Sequence, residues 1–143
     1  MNLIDYLKRL AQTGGTGAGA TSDTPRDELS PCERDLRRAL AEASAERQAP
    51  ERLRYALLFS GDVQGVGFRW TNQALAHERH LTGWAQNLDN GCVRMELQGP
   101  PAALAAHLAL LHARYQRFGN RIWLEEAHRS NAVDTEDDFT VKL

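Results

Sequence analysis

The sequence predicts an α+β fold in which two helices pack on one face of a mainly antiparallel sheet. Strand and helix patterns alternate in the order β-α-β-β-α-β over residues 51–143, and a short strand follows them. The turn signal Asp89-Asn90-Gly91 joins the second and third strands directly, which makes them antiparallel. Right-handed crossovers through the two helices then place the first and third strands side by side in the centre of the sheet. This is the split βαβ arrangement.

Residues 1–50 are predicted to be an N-terminal extension rather than a second domain. Leucines at helical spacing near the start of the chain indicate a short amphipathic helix, and the following stretch of Gly, Thr, Ala and Ser is typical of a linker. Ser30, Pro31 and Glu33 suit the N-cap, N1 and N3 positions of a second helix that ends before Pro50. Its apolar stripe is thin, so this helix is marginal on its own. One role that the extension would suit is recruitment of a protein partner.

The strands of residues 51–143 are predicted from their apolar alternation. The first covers 53–60, and the second begins with TGWAQNL. The third, CVRMELQG, alternates strictly, so that one face carries Val93, Met95 and Leu97 and the other carries Arg94, Glu96 and Gln98. The fourth and fifth strands are predicted in RIWLEEAHR and DFTVKL.

Two helices are predicted between these strands. The first covers residues 68–80, has apolar positions at Phe68, Leu75 and Ala76, and ends before Gly83. The second helix follows the Pro100-Pro101 pair. Its apolar face is formed by Leu104, Leu108, Leu111 and Tyr115.

Composition excludes several classes of protein. The chain has 143 residues, 42% hydrophobic and 25% charged, as in ordinary globular proteins. No run approaches the ~20 apolar residues that a membrane-spanning helix needs, so a membrane protein is not expected. The 17 basic and 19 acidic residues give a net charge of −2 with no basic stripe, which argues against a nucleic-acid partner. Cys32 and Cys92 lack a CxxC spacing and favour free thiols in a reducing compartment, hence a cytoplasmic location.

The loop GDVQGVGFR between the first strand and the first helix is the strongest candidate for chemistry. Its glycines, Gly61, Gly65 and Gly67, let successive backbone N–H groups converge, and the helix that begins near Phe68 adds its unpaired N–H groups. Arg69 can fold its guanidinium over the same concavity, which completes a cradle for a tetrahedral dianion. From spacing alone, a strand-to-helix turn that needs glycine only for packing fits equally well. The P-loop and dinucleotide fingerprints do not fit.

Two segments resemble the paired signatures of the acylphosphatase family. Residues 61–69 read GDVQGVGFR and residues 83–91 read GWAQNLDNG, which are similar to the family's GxVQGVxFR and GWVxNxxDG at the family's usual separation. Gln98-Gly99 falls where the family closes its third strand. The resemblance spans about residues 52–143. It implies a ferredoxin-like βαββαβ sandwich that hydrolyses small-molecule acyl phosphates to a carboxylate and inorganic phosphate, without a metal or other cofactor.

Carried over residue by residue, the resemblance implies that Arg69 and Asn87 are catalytic. The phosphate cradle falls on the backbone of Gln64, Gly65, Val66, Gly67 and Phe68. The Asn87 amide can accept from and donate to a water, so it can orient the nucleophile, and the phosphate itself is expected to receive the proton. Two departures from the family pattern, Ala85 and Asn90, lie outside this chemistry. Asp62 is a less comfortable difference, because a carboxylate that pointed inward would weaken phosphate binding.

Other functions stay open at this point. The first is a phosphate- or nucleotide-binding module that has lost catalysis, against which the intact Arg69 and Asn87 argue. The second is an interaction protein that acts through its N-terminal helices. The third, an RNA-binding domain of similar topology, would need aromatic residues along the central strands and a basic face, and the sequence has neither. The larger hydrogenase-maturation proteins also begin with an acylphosphatase-like domain, but no zinc-finger cysteines follow it here before Leu143, so we expect a different protein.

Two further sets of residues have simpler explanations. His77 and His80 have a spacing that can hold a metal, but no third ligand is evident, so no metal site is predicted. The three tryptophans are expected to pack in the core or against the hairpin. They are Trp70, Trp84 and Trp123.

Overall fold

Residues 28–143 are described by a computed structural model. The helix and linker predicted at the start of the chain therefore lie outside the described residues. Within the described range, three helices and five strands follow one another: α1 (Pro31–Ala45), β1 (Leu53–Gly61), α2 (Phe68–Glu78), β2 (Thr82–Asn87), β3 (Val93–Gly99), α3 (Pro101–Arg117), β4 (Ile122–Ser130) and β5 (Phe139–Lys142). None of these three helices is long and apolar enough to cross a membrane.

The five strands form one sheet in the order β4-β1-β3-β2-β5. Neighbouring strands are antiparallel, except that β2 and β5 are parallel. The predicted adjacency of the first and third strands is confirmed, since Leu57 of β1 pairs with Met95 of β3. On its other side Leu57 pairs with Ala127 of β4. The α+β sandwich that the sequence predicts is therefore the observed fold.

The hydrophobic core lies between one face of the sheet and the helices. The apolar faces predicted for β3 and α3 are both buried in it. Phe68, the first residue of α2, contacts Phe59 of β1 edge-on with the ring centroids 5.2 Å apart. Its ring also lies 5.4 Å from that of Tyr115 in α3. These three rings hold the N-terminus of α2 against the sheet and against α3.

Helix α1, from the predicted extension, joins the same core. Its N-cap is confirmed, because the Ser30 Oγ accepts a hydrogen bond from the N–H of Glu33 at 2.9 Å. The same hydroxyl donates to the carbonyl of Leu124 in β4 at 2.7 Å. The buried leucines of α1, Leu36 and Leu40, line one apolar space with residues of the sheet and α3, namely Tyr55, Leu57, Leu97, Leu104 and Leu108. The boundary between an extension and a domain at residues 50 and 51 stays a prediction.

The predicted turn joins β2 and β3, and it is a loop of three residues. Of its turn residues only Gly91 has a positive φ, 89°. Its N–H donates to the carbonyl of Leu88 at 3.2 Å, and the N–H of Leu88 donates to the carbonyl of Cys92 at 2.8 Å. This is the geometry of a three-residue loop closed by a left-handed glycine, so Asn90 does not need positive φ. Its side chain instead accepts from the N–H of Cys92 at 3.0 Å.

Candidate functional site: the loop between β1 and α2

Two glycines shape the loop of residues 61–67. Gly65 and Gly67 have φ angles of 77° and 73°, in the left-handed region that favours glycine. An added Cβ at either position would meet no atom within 4 Å. Glycine is therefore favoured here by the backbone conformation and not by a lack of space. Gly67 is also the N-cap of α2. The predicted strand-to-helix turn is thus formed by left-handed glycines at its tip.

The backbone of this loop presents a set of hydrogen-bond donors. Among residues 28–143, no acceptor binds the N–H groups of Gln64, Gly65, Val66, Gly67 and Phe68. Unpaired N–H groups at a helix N-terminus, together with the helix dipole, attract an anion. The sequence-predicted cradle residues are therefore brought together with their donors available.

Two side chains, one from the loop and one from α3, hold the loop in place. The Gln64 amide nitrogen donates to the carbonyls of Leu88 and Cys92 in the hairpin, at 2.7 and 2.9 Å. The Tyr115 hydroxyl of α3 lies 3.2 Å from the carbonyl oxygen of Val66 and 3.1 Å from Oγ1 of Thr71. The loop is thus fastened to the hairpin on one side and to α3 on the other.

Arg69 and Asn87 lie at the same end of the sheet. Arg69, in the first turn of α2, donates from Nη1 to the carbonyl of Lys142 at 2.7 Å. Lys142 of β5 pairs with Gln86 of β2, the residue before Asn87. The Oδ1 of Asn87 is buried and has no hydrogen-bond partner among the described residues. An unpaired buried amide oxygen is costly unless a ligand or water satisfies it, which points to a polar partner at this position.

The carboxylate of Asp62 is bound outside the loop. Its Oδ2 accepts from the N–H of Arg121 at 2.8 Å, and its own N–H donates to the Arg121 carbonyl at 2.7 Å. This two-point contact holds the side chain against the start of β4. The inward orientation that would weaken anion binding is therefore not the one observed.

Comparison with known proteins decides the family. The family model described as acylphosphatase matches residues 55–141 of this chain. The chain belongs to the acylphosphatase family.

Individual acylphosphatases match different parts of the chain. The acylphosphatase of Geobacillus kaustophilus (strain HTA426) is 47% identical over 60 residues, which are 42% of this chain and 64% of that protein. The chain thus spans just under two thirds of the length of this relative. The acylphosphatase of Salinibacter ruber (strain DSM 13855 / M31) is 33% identical over 89 residues, 62% of this chain and 92% of that protein.

Solved structures show the same fold. The crystal structure of acylphosphatase from Bacillus subtilis has a TM-score of 0.52 at 27% identity, covering 64% of this chain and 99% of that one. The crystal structure of T. kodakarensis HypF has a TM-score of 0.54 at 26% identity, covering 64% of this chain and 12% of that one. The likeness to HypF is thus confined to a small part of that larger protein.

Beneath the acylphosphatase loop lies a buried polar chain that sequence reasoning missed. Asn72 donates from Nδ2 to the carbonyl of Phe68 at 2.9 Å, and its Oδ1 lies 2.8 Å from Nε2 of His107. His107 is fully buried, and burial lowers its pKa to about 4, with the positive charge of Arg79 acting in the same direction. A signal was available, because His107 falls on the buried stripe of α3, three residues after Leu104.

The histidines considered as metal ligands have other roles. His77 Nε2 lies 2.7 Å from the carboxylate of Asp138. His80 has a φ of 56° and closes α2: its N–H donates to the carbonyl of His77 at 3.3 Å, and the next N–H, of Leu81, donates to that of Ala76 at 2.9 Å. The helix therefore ends at Glu78, before the predicted end at residue 80, and the left-handed residue His80 follows it. Residues 28–143 contain no group of three or more side chains that could hold a metal ion.

The tryptophans divide into two that pack and one that does not. Trp123 is buried, and the Arg121 guanidinium lies 4.7 Å from its ring centroid. Trp84 is half-buried, with the Lys142 ammonium 4.0 Å from its ring centroid. Trp70 is 57% exposed, so the prediction that it packs in the core or against the hairpin is wrong. Phe68 takes the inward position at the start of α2, and a residue two places further lies on the opposite side of a helix.

Both cysteines in the structure are free, as predicted. Burial raises the pKa of the Cys32 thiol and of the Cys92 thiol, so neither is activated as a nucleophile. The unpaired N–H groups of the loop therefore remain the candidate site.

Proposed function

We propose that this protein is an enzyme that hydrolyses acyl phosphates to a carboxylate and inorganic phosphate, with no metal ion or other cofactor. The observation that carries the proposal is the run of five unpaired N–H groups from Gln64 to Phe68, with Arg69 in the first turn of the helix that follows. Membership of the acylphosphatase family supports the reaction class. The catalytic unit that we propose is residues 51–143, with Arg69 and Asn87 as its catalytic side chains.

Binding of the phosphoryl group is assigned to the cradle. Its dianionic oxygens would accept hydrogen bonds from the loop amides and from the N–H groups of Arg69 that Lys142 does not use. Hydrogen bonds to a charged group contribute about 1.5–3 kcal/mol each, so a few of them suffice for sub-millimolar binding. The contact with Lys142 limits the rotation of the guanidinium before substrate arrives, which lowers the entropy cost of binding.

The attacking water is assigned to Asn87. Its unpaired Oδ1 can accept a hydrogen bond from that water, and its amide N–H can donate one to the water oxygen, so the water is oriented without being deprotonated. The water oxygen forms a bond to phosphorus while the bond from phosphorus to the bridging oxygen breaks. The bridging oxygen leaves with the electron pair as the carboxylate, and the proton of the water passes to a phosphoryl oxygen. The products are a carboxylate and dihydrogen phosphate, which balances charge and atoms.

No strong general acid is needed in this reaction, because the leaving group is already a stable anion. The transition state spreads charge over the equatorial phosphoryl oxygens, where fixed donors are most effective. The buried His107 contacts Asn72 and not the loop amides, so we assign it no role in proton transfer. The rate enhancement therefore comes from positioning of the attacking water and from stabilisation of the charge on the phosphoryl oxygens in the transition state.

The test is hydrolysis of benzoyl phosphate in the presence of EDTA by the wild type and two variants. Asn87→Ala should lower kcat by at least about 100-fold, because the water loses its orientation, while the Kd for inorganic phosphate stays within about twofold. Arg69→Lys should weaken phosphate binding and also lower kcat, because an ammonium cannot reproduce the planar fork. Asn87→Ala should change kcat alone, whereas Arg69→Lys should change both kcat and the Kd for phosphate, so the two variants distinguish water orientation from phosphate binding.

Asn131→Ala is the matched control, since Asn131 is an exposed asparagine of the β4–β5 connection. It should keep wild-type turnover. A folded wild type that binds phosphate but leaves benzoyl phosphate intact would refute the enzyme and favour a phosphate-binding module. Near-wild-type turnover by Arg69→Lys would refute the assigned cradle.

A further inference from the structure

The exposed ring of Trp70 has no partner within residues 28–143. Trp84 lies under the ammonium of Lys142 and Trp123 under the guanidinium of Arg121, but no aromatic or cationic side chain of the described residues contacts Trp70. Exposure of 57% leaves most of a large apolar surface in water. Tryptophan is enriched at binding interfaces, because its ring is largely apolar and carries one polar N–H group.

Trp70 lies at the rim of the cradle. It is the third residue of α2 and follows Arg69 directly. In a helix the Cα–Cβ bond tilts toward the N-terminus, so a side chain covers the turn that precedes its own Cα. For Trp70 that preceding turn is the tip of the loop, at Val66 and Gly67.

Val66 extends the same apolar surface. Its side chain is 37% exposed, while its N–H belongs to the unpaired donors of the loop. Its position is fixed, because the Tyr115 hydroxyl lies 3.2 Å from its carbonyl oxygen. Arg69 donates to the carbonyl of Lys142 of β5, and the side chains of Val66 and Trp70 are both exposed. We call these two side chains the apolar ledge.

We propose that the apolar ledge is the acyl subsite of the enzyme and that it selects acyl phosphates with an aromatic acyl group. The inference rests on the proposed function, since it takes the phosphoryl group to lie in the cradle. A substrate held there has its acyl carbon only one bridging oxygen away from phosphorus, which brings the acyl group to the cradle rim. A flat aromatic ring can stack on the indole, whereas a methyl group covers little of it.

The test compares kcat/KM for benzoyl phosphate and acetyl phosphate in the wild type, Trp70→Ala and Trp70→Phe. Trp70→Ala should lower kcat/KM for benzoyl phosphate by about tenfold and that for acetyl phosphate by less than about twofold. Trp70→Phe should keep most of the selectivity. The change in the ratio on mutation is the informative quantity, because the two leaving groups differ in intrinsic reactivity and that difference cancels.

Phe118→Ala is the matched control. Phe118 is 64% exposed but lies at the C-terminal end of α3, outside the ledge, so its removal should leave both substrates unaffected. An equal loss on both substrates with Trp70→Ala, or no loss on either, would overturn the acyl subsite.

Binding of two phosphonates separates this proposal from the proposed function. Phenacylphosphonate and acetonylphosphonate replace the bridging oxygen of the two substrates by a methylene group and cannot be hydrolysed at that position. Calorimetry should give about tenfold tighter binding of phenacylphosphonate to the wild type and equal binding of the two to Trp70→Ala. This result would support the apolar ledge even if the wild type hydrolysed neither acyl phosphate. Absence of hydrolysis would refute the proposed enzyme activity but not the binding of aromatic groups at the ledge. Equal binding of the two by the wild type would overturn the ledge.

Discussion

Asn72 joins the loop to the core through two hydrogen bonds. It donates to the carbonyl of Phe68, and its Oδ1 can only accept, so Nε2 of His107 must carry the proton that it receives. Because its pKa lies near 4, His107 is neutral at pH 7 and has its single ring proton on Nε2. A second proton would place a charge in a fully buried position, which is why its pKa is lowered to about 4.

This titration predicts a dependence of stability on pH. The unfolded chain takes up a proton on His107 at about pH 6.5, whereas the folded protein does so only near pH 4. The contribution is therefore complete above about pH 6.5 and is lost as the pH falls toward 4. At about 1.4 kcal/mol per pKa unit, the lowered pKa of His107 contributes about 3 kcal/mol to the free energy of unfolding. Urea unfolding of the wild type from pH 4 to 8 would measure it.

His107→Gln is the variant that isolates this effect, because its amide nitrogen can still donate to Asn72. It should flatten the curve between pH 6.5 and 4. Burial pushes the pKa of Glu136 up, but hydrogen bonds from Arg54 and Thr82 and the positive charges of Arg54 and Lys142 together lower it, so the loss from this carboxylate comes in more acidic solution. Identical curves for the variant and the wild type would contradict the assignment to His107.

Single residues also show where sequence reasoning stops. Arg69 and Asn87 could be located because each lies in a signature whose neighbours fix its place. Trp70 was misplaced, although the apolar set Phe68, Leu75 and Ala76 already puts the inward face of α2 on the other side. Its exposure follows from helix phase, and aromatic character alone was a poor guide to burial.

Among the elements, α1 depends on one hydroxyl for two contacts. Ser30 caps the helix through the N–H of Glu33 and links it to β4 through the carbonyl of Leu124. The Glu33 carboxylate does not complete the capping box, since it accepts from Arg37 at 2.9 Å and 2.5 Å instead. The first turn of α1 is thus fixed mainly by Ser30.

Ser30→Ala should destabilise the protein by about 1–2 kcal/mol, because it removes the cap and leaves the buried Leu124 carbonyl without this donor. Chemical denaturation would measure the change in the free energy of unfolding. Ser44→Ala serves as the control, since the Ser44 hydroxyl only donates back to the carbonyl of Leu40 within the same helix. Equal effects of the two substitutions would contradict the role given to Ser30.

The start of α1 could be predicted from Ser30, Pro31 and Glu33, but its docking could not. A thin apolar stripe has no preferred partner in the sequence, and its partner is a surface formed mainly by α3 and β4, far along the chain. Gln98 shows the same limit. It was predicted on the outer face of β3, yet it is 3% exposed, because the connection between β4 and β5 covers it and Val133 exchanges hydrogen bonds with it at 2.8 and 3.1 Å.

At the scale of the whole molecule, α1 and the sheet share one hydrophobic core, which predicts one cooperative unfolding transition. Leu40 is 1% exposed, so Leu40→Ala should lower the free energy of unfolding by about 3 kcal/mol. Urea curves followed by tryptophan fluorescence and by circular dichroism should shift together. Leu110→Ala, at a leucine that is 40% exposed, should change stability far less. A Leu40→Ala transition that splits into two steps would show that α1 unfolds independently.

The position of β1 in the sheet has a consequence for the order of events during folding. Both neighbours of β1 come from distant parts of the chain, since Leu57 pairs with Met95 and with Ala127. The β2–β3 hairpin closes locally, but β1 can be incorporated only after much longer loops have closed, which is entropically costly and slow. The loop of residues 61–67 continues from the end of β1 and is fastened by Gln64 to that hairpin. We therefore expect the cradle to be among the last parts of the protein to acquire its native geometry, so that recovery of phosphate binding would report the final step of refolding.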